Sequence, residues 1–470
     1  MNSSRTLVII VNWNKAAVLD TMLSSLEASG PREFDAVLVD NASTDNSVRL
    51  VREKHPWVEV LENPENLGGT GGFNRGMTYG LQHPGNYEYF WLLDNDVYVH
   101  PGAYRALLQP MLDNERIGMV GAAILLMSDP SQVQEAGVRI VWSTGAFERN
   151  GGGPLANVEQ NALLESDFVP ACSCLVRVAA IREVGIWDPA FFLMWDDIEW
   201  GIRFTRAGWK VVAATDALVR HESYDNRRAK SPSWIGYIWL RNSLYTFRNH
   251  AVGANRLSIF FNIFRQTLTL LDNCAAGGRE SEHRALRQAI SDFFLNRMGK
   301  PPQELYSAAS VQVSGASEKP AQLRNVALLV TDNADAARQR YSQLKSDYPD
   351  AQISCIVTQL RPELLAEDLP NRKLQSVDSL FKRLSFALKL ALRYDAAANA
   401  SNQPQYLYVK LARMLLQFED EHRYFAVRRD LPATLWLIAK RPFLWLRAAI
   451  YAVRASRLKP VPVNYHFWRT

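Results

Sequence analysis

The sequence predicts a doubly wound α/β protein with a mostly parallel sheet. Three observations carry that prediction. Short β-branched or apolar runs alternate with segments of helical period, and polar residues (Asn12, Asp40, Asp94) stand where those runs end. The composition, 47% apolar and 21% charged over 470 residues, suits an ordinary globular chain with a large core and two to three domains.

The elements follow in order. Thr6 to Val11 is strand-like, Leu19, Met22, Leu23 and Leu26 fall at helical spacing, and Ala36 to Val39 is again strand-like. A helix at about Asn46 to Lys54 and strands at Val58 to Leu61 and Tyr89 to Leu93 continue the alternation. In such a sheet ligands gather beyond the carboxyl ends of the strands, which places Asn12, Asp40 and Asp94 where a ligand would bind. The Gly-rich stretch from Gly145 to Pro154 reads as a loop. Phe168 to Val178 resumes strand character and leads into a helix near Val178 to Val184, and residues 234–272 are helical and aromatic. Between Cys274 and Leu323 the pattern weakens into Gly, Pro, Ser and Ala. Val326 to Val330, a helix around Ala337 to Tyr348 and Ile353 to Val357 form a second strand, helix, strand unit, with a helix-rich stretch from Leu380. The predicted organisation is a catalytic domain over 1–250, a helical extension over 251–305, a linker over 306–324, a small α/β domain over 325–420 and a basic amphipathic segment over 421–470.

Composition also excludes classes. No window of about 18 uncharged apolar residues is present, so a membrane-spanning helix is not expected. The first residues lack the cleavage pattern of a secretory signal, which makes the expected location cytoplasmic. The four cysteines show no paired ligand spacing, which argues against a disulfide framework or structural zinc. The net charge is +5, yet residues 421–470 hold ten Lys or Arg against two acids, interleaved with Trp436, Leu437, Phe443, Leu444, Trp445, Leu446 and Tyr451. That mixture predicts an amphipathic segment lying on anionic lipid, peripheral on the inner face of the membrane, with no nucleic acid as partner. A terminal helix packed on the enzyme, its arginines solvated, is the competing reading.

Four motifs carry chemistry. Leu92-Leu93-Asp94-Asn95-Asp96 is an apolar strand ending in two carboxylates two residues apart, suited to an oxygen-liganded cation, Mn²⁺ or Mg²⁺, that also takes a diphosphate. An Asp-rich turn would look the same in isolation. Trp195-Asp196-Asp197-Ile198-Glu199 opens a helix. Asp196 as N-cap with Glu199 three residues on would form a capping box, which leaves Asp197 unexplained and points to it as a general base kept ionised by the helix terminus. Asn66-Leu67-Gly68-Gly69-Thr70-Gly71-Gly72-Phe73-Asn74-Arg75 is neither a dinucleotide fingerprint nor a P-loop. It reads as a flexible nucleotide-sugar loop in which Gly69 and Gly71 allow close approach and Arg75 contacts an anion. His221, at the end of an apolar run, could complete a metal site, and Arg241 on the next helix could meet donor phosphates or acceptor.

Together these residues, from Val11-Asn12-Trp13-Asn14 through Val39-Asp40-Asn41, Asn66 with Arg75 and Asp94-x-Asp96 to the Trp195 helix, resemble family-2 glycosyltransferases of the GT-A fold over the first 250 residues. The resemblance implies a GT-A domain in which Asn12 and Asp40 hold the nucleobase and ribose, and Arg75 with Asn66, Gly69, Gly71 and Asn95 serves the nucleotide sugar. It further implies Asp94 and Asp96 at a metal diphosphate, His221 as a metal ligand, Asp197 as base beside Asp196, and Trp195, Glu199 and Arg241 as positioning residues. Gly68 to Phe73 and Trp195 to Glu199 look most like bacterial galactofuranosyltransferases, with rhamnosyltransferases of O-antigen assembly as neighbours. The implied partners are a UDP-sugar or dTDP-sugar donor and a glycolipid or polysaccharide acceptor of the cell envelope. A nucleotidyltransferase is disfavoured because no Gly-rich, Arg-containing loop follows the first strand. A scaffold subunit without turnover is disfavoured by the intact acidic set.

Overall fold

The computed structural model describes residues 6–222, 233–276, 279–306, 323–330, 334–358, 373–375, 396–399, 414–418, 424–428 and 441–469. The chain divides into two compact units, one of Met1–Thr267, Arg284–Ala308 and Ala448–Thr470, the other of Leu268–His283 and Ala309–Arg447.

The first unit opens with β1 (Thr6–Asn12), α1 (Ala16–Ala28), β2 (Phe34–Asp40), α2 (Ser47–Lys54), β3 (Val58–Glu62), α3 (Gly68–Gln82) and β4 (Tyr89–Asp94). Then come β5 (Tyr98–Val99), α4 (Ala103–Asp113), β6 (Ile117–Leu126), β7 (Gln132–Glu135), β8 (Val138–Val141), β9 (Ala146–Arg149), β10 (Gly153–Pro154), β11 (Leu163–Glu165) and β12 (Ser173–Arg177). It continues with α5 (Val178–Val184), α6 (Asp196–Arg206), β13 (Lys210–His221), α7 (Ser233–His250), α8 (Gly253–Ala276), whose end crosses into the second unit, and α9 (Glu280–Phe294). The main sheet runs β10-β7-β6-β12-β4-β1-β2-β3, with β13 beside β6. Strands β1 to β4 are mutually parallel, while β12 lies antiparallel between β4 and β6.

Helices cover both faces, so β1 and β4 read as continuous apolar runs. Alternate residues supply the two layers: Val8, Ile10, Trp91 and Leu93 pack with Leu19 and Leu23 of α1 and Leu107 of α4. Leu7, Ile9, Phe90 and Leu92 pack with Phe73 and Met77 of α3 and Trp200 of α6. The Gly-rich stretch is not the flexible loop expected but the first turns of α3. A Cβ on Gly72 would lie 2.5 Å from Val11 Cγ1, one on Gly76 2.3 Å from Ile9 Cγ2 and one on Gly80 2.6 Å from Phe90 Cε1. A glycine every four residues thus forms a flat helix face that lets α3 lie against β1 and β4.

Two further expectations change. The 145–154 stretch contains β9, paired with β8 in a hairpin, and β10 on the sheet edge. The weak region after Cys274 contains α9, whose Ala285, Leu286, Ala289, Ile290 and Phe293 are buried at helical spacing. Of the predicted linker, residues 307–322 lie outside the described residues.

The second unit holds β14 (Asn325–Val330), α10 (Ala334–Asp347), β15 (Gln352–Thr358), β16 (Lys373–Gln375), β17 (Ala396–Asn399), β18 (Met414–Phe418) and β19 (Tyr424–Arg428). Their order is β16-β15-β14-β17-β18-β19, parallel except for β19. Most of the helix-rich stretch expected from Leu380 lies outside the described residues; those described up to residue 440 are the strands β17, β18 and β19.

Helix α11 (Arg441–Ser456) follows, its chain then re-entering the first unit. Ala448, Ala452 and Ala455 are buried and Tyr451 stacks on Phe264, whereas Phe443, Leu446 and Ile450 lie more than half exposed. Trp436 and Leu437 fall outside the described residues. Residues 457–469 strap back over the first unit: Ile186 donates its N–H to the Tyr465 carbonyl, and Gln82 donates to that of Trp468. Among the described residues no helix is long and apolar enough to cross a membrane.

Candidate active site

The carboxyl ends of β1, β2 and β4 lie side by side because those strands pair in register, Asn12 opposite Asp40 and Val11 opposite Asp94. Asn12 donates to Asp40 Oδ1 at 3.1 Å and accepts from Asn95 at 2.8 Å, so the Asp-Asn-Asp turn is tied to the first strand. Asp40 also accepts the Ser43 N–H and hydroxyl. The side chains of Asn14 and Asp45 bind neighbouring backbone N–H groups, fixing the two loops against each other. Asn66 accepts the Gly68 N–H, which starts α3 at a residue with φ of +73°. A Cβ on Gly68 would strike the Phe192 carbonyl oxygen at 2.0 Å, so only glycine fits. Gly69 and Gly71 lie in the same first turn, and Arg75, a turn further on, is exposed.

Asp94 and Asp96 meet His221, which β13 brings in from the far side of the sheet. The His221 Nε2 lies 3.1 Å from Asp96 Oδ1 and 3.7 Å from Asp94 Oδ2, and one ligand atom from each residue falls within 4.8 Å of the others. Two carboxylates and an imidazole this close match the donor set of a divalent cation that prefers oxygen and tolerates nitrogen, so the residues present fit a metal. Burial pushes the Asp96 carboxyl up, but the His221 hydrogen bond and charge, with the nearby Lys15 ammonium, outweigh it and hold the group well below the usual carboxylate range. Asp96 is thus ionised, as a ligand must be.

Helix α6 enters the site from the other side. The chain before it is strained: Met194 and Trp195 have φ of 64° and 71°, conformations unusual for side chains of their size. Two features hold it there. Asn242 of α7 donates to the Leu193 and Met194 carbonyls, both at 3.0 Å, and the Trp195 ring is buried among Phe147, Trp239 and Phe247. No capping box forms. Trp195 is the N-cap, Asp196 accepts instead from the Thr70 hydroxyl of α3 at 2.6 Å, and Glu199 is fully buried in an ion pair with Arg203 and a hydrogen bond with His250. The Tyr465 hydroxyl donates to the same carboxylate at 3.3 Å while its ring lies 3.9 Å from the Arg203 guanidinium carbon, so the C-terminal strap braces α6.

Asp197 accepts the Ala171 N–H at 3.2 Å and the Ile198 N–H at 2.8 Å. Burial, then the charge of Asp196, pushes its carboxyl up to about 7, and burial pushes Asp196 up to about 6. The helix terminus therefore does not keep Asp197 strongly ionised as expected. Desolvation and a like charge outweigh it and leave a group poised near neutrality.

Arg241 does not face the site. It is fully buried and donates to the Tyr237 hydroxyl, the Gly299 carbonyl and Asn242, because α9 and the chain after it cover that helix face. Its neighbour Asn242 is the residue of this helix that reaches the turn before α6. Thr70, Asn242 and Lys15 were missed. Thr70 had one signal, a lone hydroxyl among glycines, whereas nothing local marked the other two.

Residues 4–239, half of the chain, match the family model described as Glycosyltransferase like family 2. Among curated proteins, N-acetylglucosaminyl-diphospho-decaprenol L-rhamnosyltransferase of Mycobacterium tuberculosis is 28% identical over 235 residues, 46% of this chain and 75% of the relative. Galactofuranosyltransferase GlfT1 of the same organism is 25% identical, over 45% of this chain and 68% of its own. The solved mannosyltransferase PcManGT of Pyrobaculum calidifontis, in complex with GDP-Man and Mn²⁺, has a TM-score of 0.39 at 13% identity, covering 66% of this chain and 77% of that one. The fold is the α/β arrangement of GT-A enzymes that the resemblance implied, and the chain belongs to the glycosyltransferases of family 2.

Proposed function

We propose that this glycosyltransferase works by inversion with a divalent metal, Mn²⁺ or Mg²⁺, and moves galactofuranose from UDP-galactofuranose onto a lipid-linked or polysaccharide acceptor of the cell envelope. The observation that carries the reading is the Asp94, Asp96 and His221 cluster with Asp197 near enough for the Asp94 charge to act on it, a carboxyl raised to about 7 chiefly by burial. A bound metal would neutralise the diphosphate as it leaves. The chain's own residues do the rest. Asn12 and Asp40, buried and bonded to each other, brace the strand ends where the nucleoside would bind, Arg75 is exposed on α3 toward its phosphates, and Thr70 holds Asp196 beside Asp197 at the start of α6. Asp197 takes the acceptor hydroxyl proton as that oxygen attacks the anomeric carbon from the face opposite the diphosphate, so one displacement inverts the centre. An oxocarbenium-like transition state gains most from the charge already placed around the leaving group.

A second donor, dTDP-rhamnose, is favoured by one observation: the rhamnosyltransferase relative is 28% identical, against 25% for the galactofuranosyltransferase. The lipid-linked acceptor draws support from α11, whose exposed stripe of Phe443, Leu446, Ile450 and Val453 is flanked by Arg447, Arg454 and Arg457 and opposes the buried alanine face. An apolar stripe edged by cations suits an anionic bilayer surface. The test is nucleotide diphosphate release from UDP-galactofuranose and dTDP-rhamnose, each with Mn²⁺ or Mg²⁺ and a lipid-linked acceptor. Release from one donor, abolished by chelation and by Asp197→Asn, supports the reading and names the sugar. Nucleotide-sugar binding without turnover for either donor would mean a scaffold.

A further inference from the structure

Lys15 stands where helix physics disfavours it. It is the N-cap of α1, a position that prefers Ser, Thr, Asp or Asn, and its cation lies at the positive end of the helix dipole. It makes no capping hydrogen bond. Instead its ammonium reaches Asp96 Oδ2 at 2.8 Å, while His221 holds the other oxygen of the same carboxylate at 3.1 Å. The side chain is about half exposed (47%), so its four-carbon stem can swing without disturbing the core.

We propose that Lys15 is a built-in counter-cation of the donor site: it occupies Asp96 when the site is empty, yields that oxygen to the divalent ion, and then pairs with the donor diphosphate. This deepens the metal-dependent reading and rests on it. The charges explain the sequence of partners. Asp94 and Asp96 together bring two negative charges to the site, which His221 and the Lys15 ammonium partly offset, and a divalent ion offsets them fully and repels the ammonium. A diphosphate then returns negative charge to the same place and gives the displaced cation a new partner. Lys15 is thus a positioning residue with opposite effects on two ligands, which a purely structural role would not produce.

The experiment measures Mn²⁺ affinity by titration calorimetry without nucleotide, and UDP affinity at saturating Mn²⁺, for the full chain, Lys15→Met, Lys15→Arg and Asp96→Asn. The expected result for Lys15→Met is Mn²⁺ binding about tenfold tighter and UDP binding about tenfold weaker, with Lys15→Arg restoring both toward the parent. Unchanged or weaker Mn²⁺ binding in Lys15→Met overturns the proposal. If the parent and Asp96→Asn bind Mn²⁺ equally, the metal reading itself fails, and the Lys15 proposal falls with it.

Discussion

The two α/β units lay down their first four strands in the same spatial order, β3-β2-β1-β4 in one and β16-β15-β14-β17 in the other, all parallel. Both therefore have a switch point beside their first strand, where a doubly wound sheet offers a crevice. They differ in what stands at the strand ends. In the first unit β1, β2 and β4 end in Asn12, Asp40 and Asp94; in the second β14, β15 and β17 end in Val330, Thr358 and Asn399. Among the described residues, the cluster able to hold a metal is in the first unit. The first unit also adds elements the order does not require, β13 bringing His221 and α6 bringing Asp197. Topology supplies a crevice, and chemistry depends on which side chains line it.

The comparison can be broken or sharpened in four ways. The largest effect is expected from Asp197→Asn, which keeps the shape but removes the proposed base. Turnover should fall about 10²- to 10⁴-fold in steady-state assays with little change in UDP affinity. Tyr465→Ala tests whether the strap matters to the crevice: releasing Glu199 and Arg203 on α6 should lower kcat by roughly tenfold, since small misplacements of a catalytic group are costly. A kcat that does not move would make the strap a matter of stability alone.

Asp196→Asn should act on pH dependence. The Asp197 carboxyl is raised, so the ionised form of this proposed base appears only as pH climbs through about 7, and the rate should rise over that interval. Removing the neighbouring charge lowers the pKa, so the acid limb of the kcat profile should move to lower pH. An unmoved limb would mean that another group titrates. The smallest effect is expected in the second unit. Asp332, which follows β14 in the sequence as the Asn12 loop follows β1, should tolerate Asp332→Ala with turnover unchanged. A lost activity there would show that the second unit also takes part in chemistry.

How legible each part was follows from the range of the forces involved. Strands β1 to β4, the β12 region and the helix at Val178–Val184 were readable because burial on both faces writes itself as apolar runs and helical spacing within a dozen residues, whereas β6 and the short β7 to β11 were not read. Helix α9 was obscured by Gly277 and Gly278 just before it, and β17 to β19 went unread because strands of four or five residues carry little pattern. The glycines of α3 were misread for a related reason. A glycine that admits a ligand and one that admits a neighbouring strand look alike in sequence, and only the Ile9, Val11 and Phe90 side chains facing them decide.

The sequence by itself determined the α/β class, the family and the acidic and histidine residues of the crevice, since each rests on a local pattern or on residue types in order. The tertiary structure alone decided that Arg241 turns inward while Asn242 holds the strained turn before α6, that Thr70 reaches Asp196, and that Tyr465 from the far end of the chain braces Glu199. It also decided that Asp197 is raised rather than held ionised by its helix. Those outcomes depend on contacts between residues up to 266 positions apart and on how much water they exclude, and neither is a property of neighbouring residues.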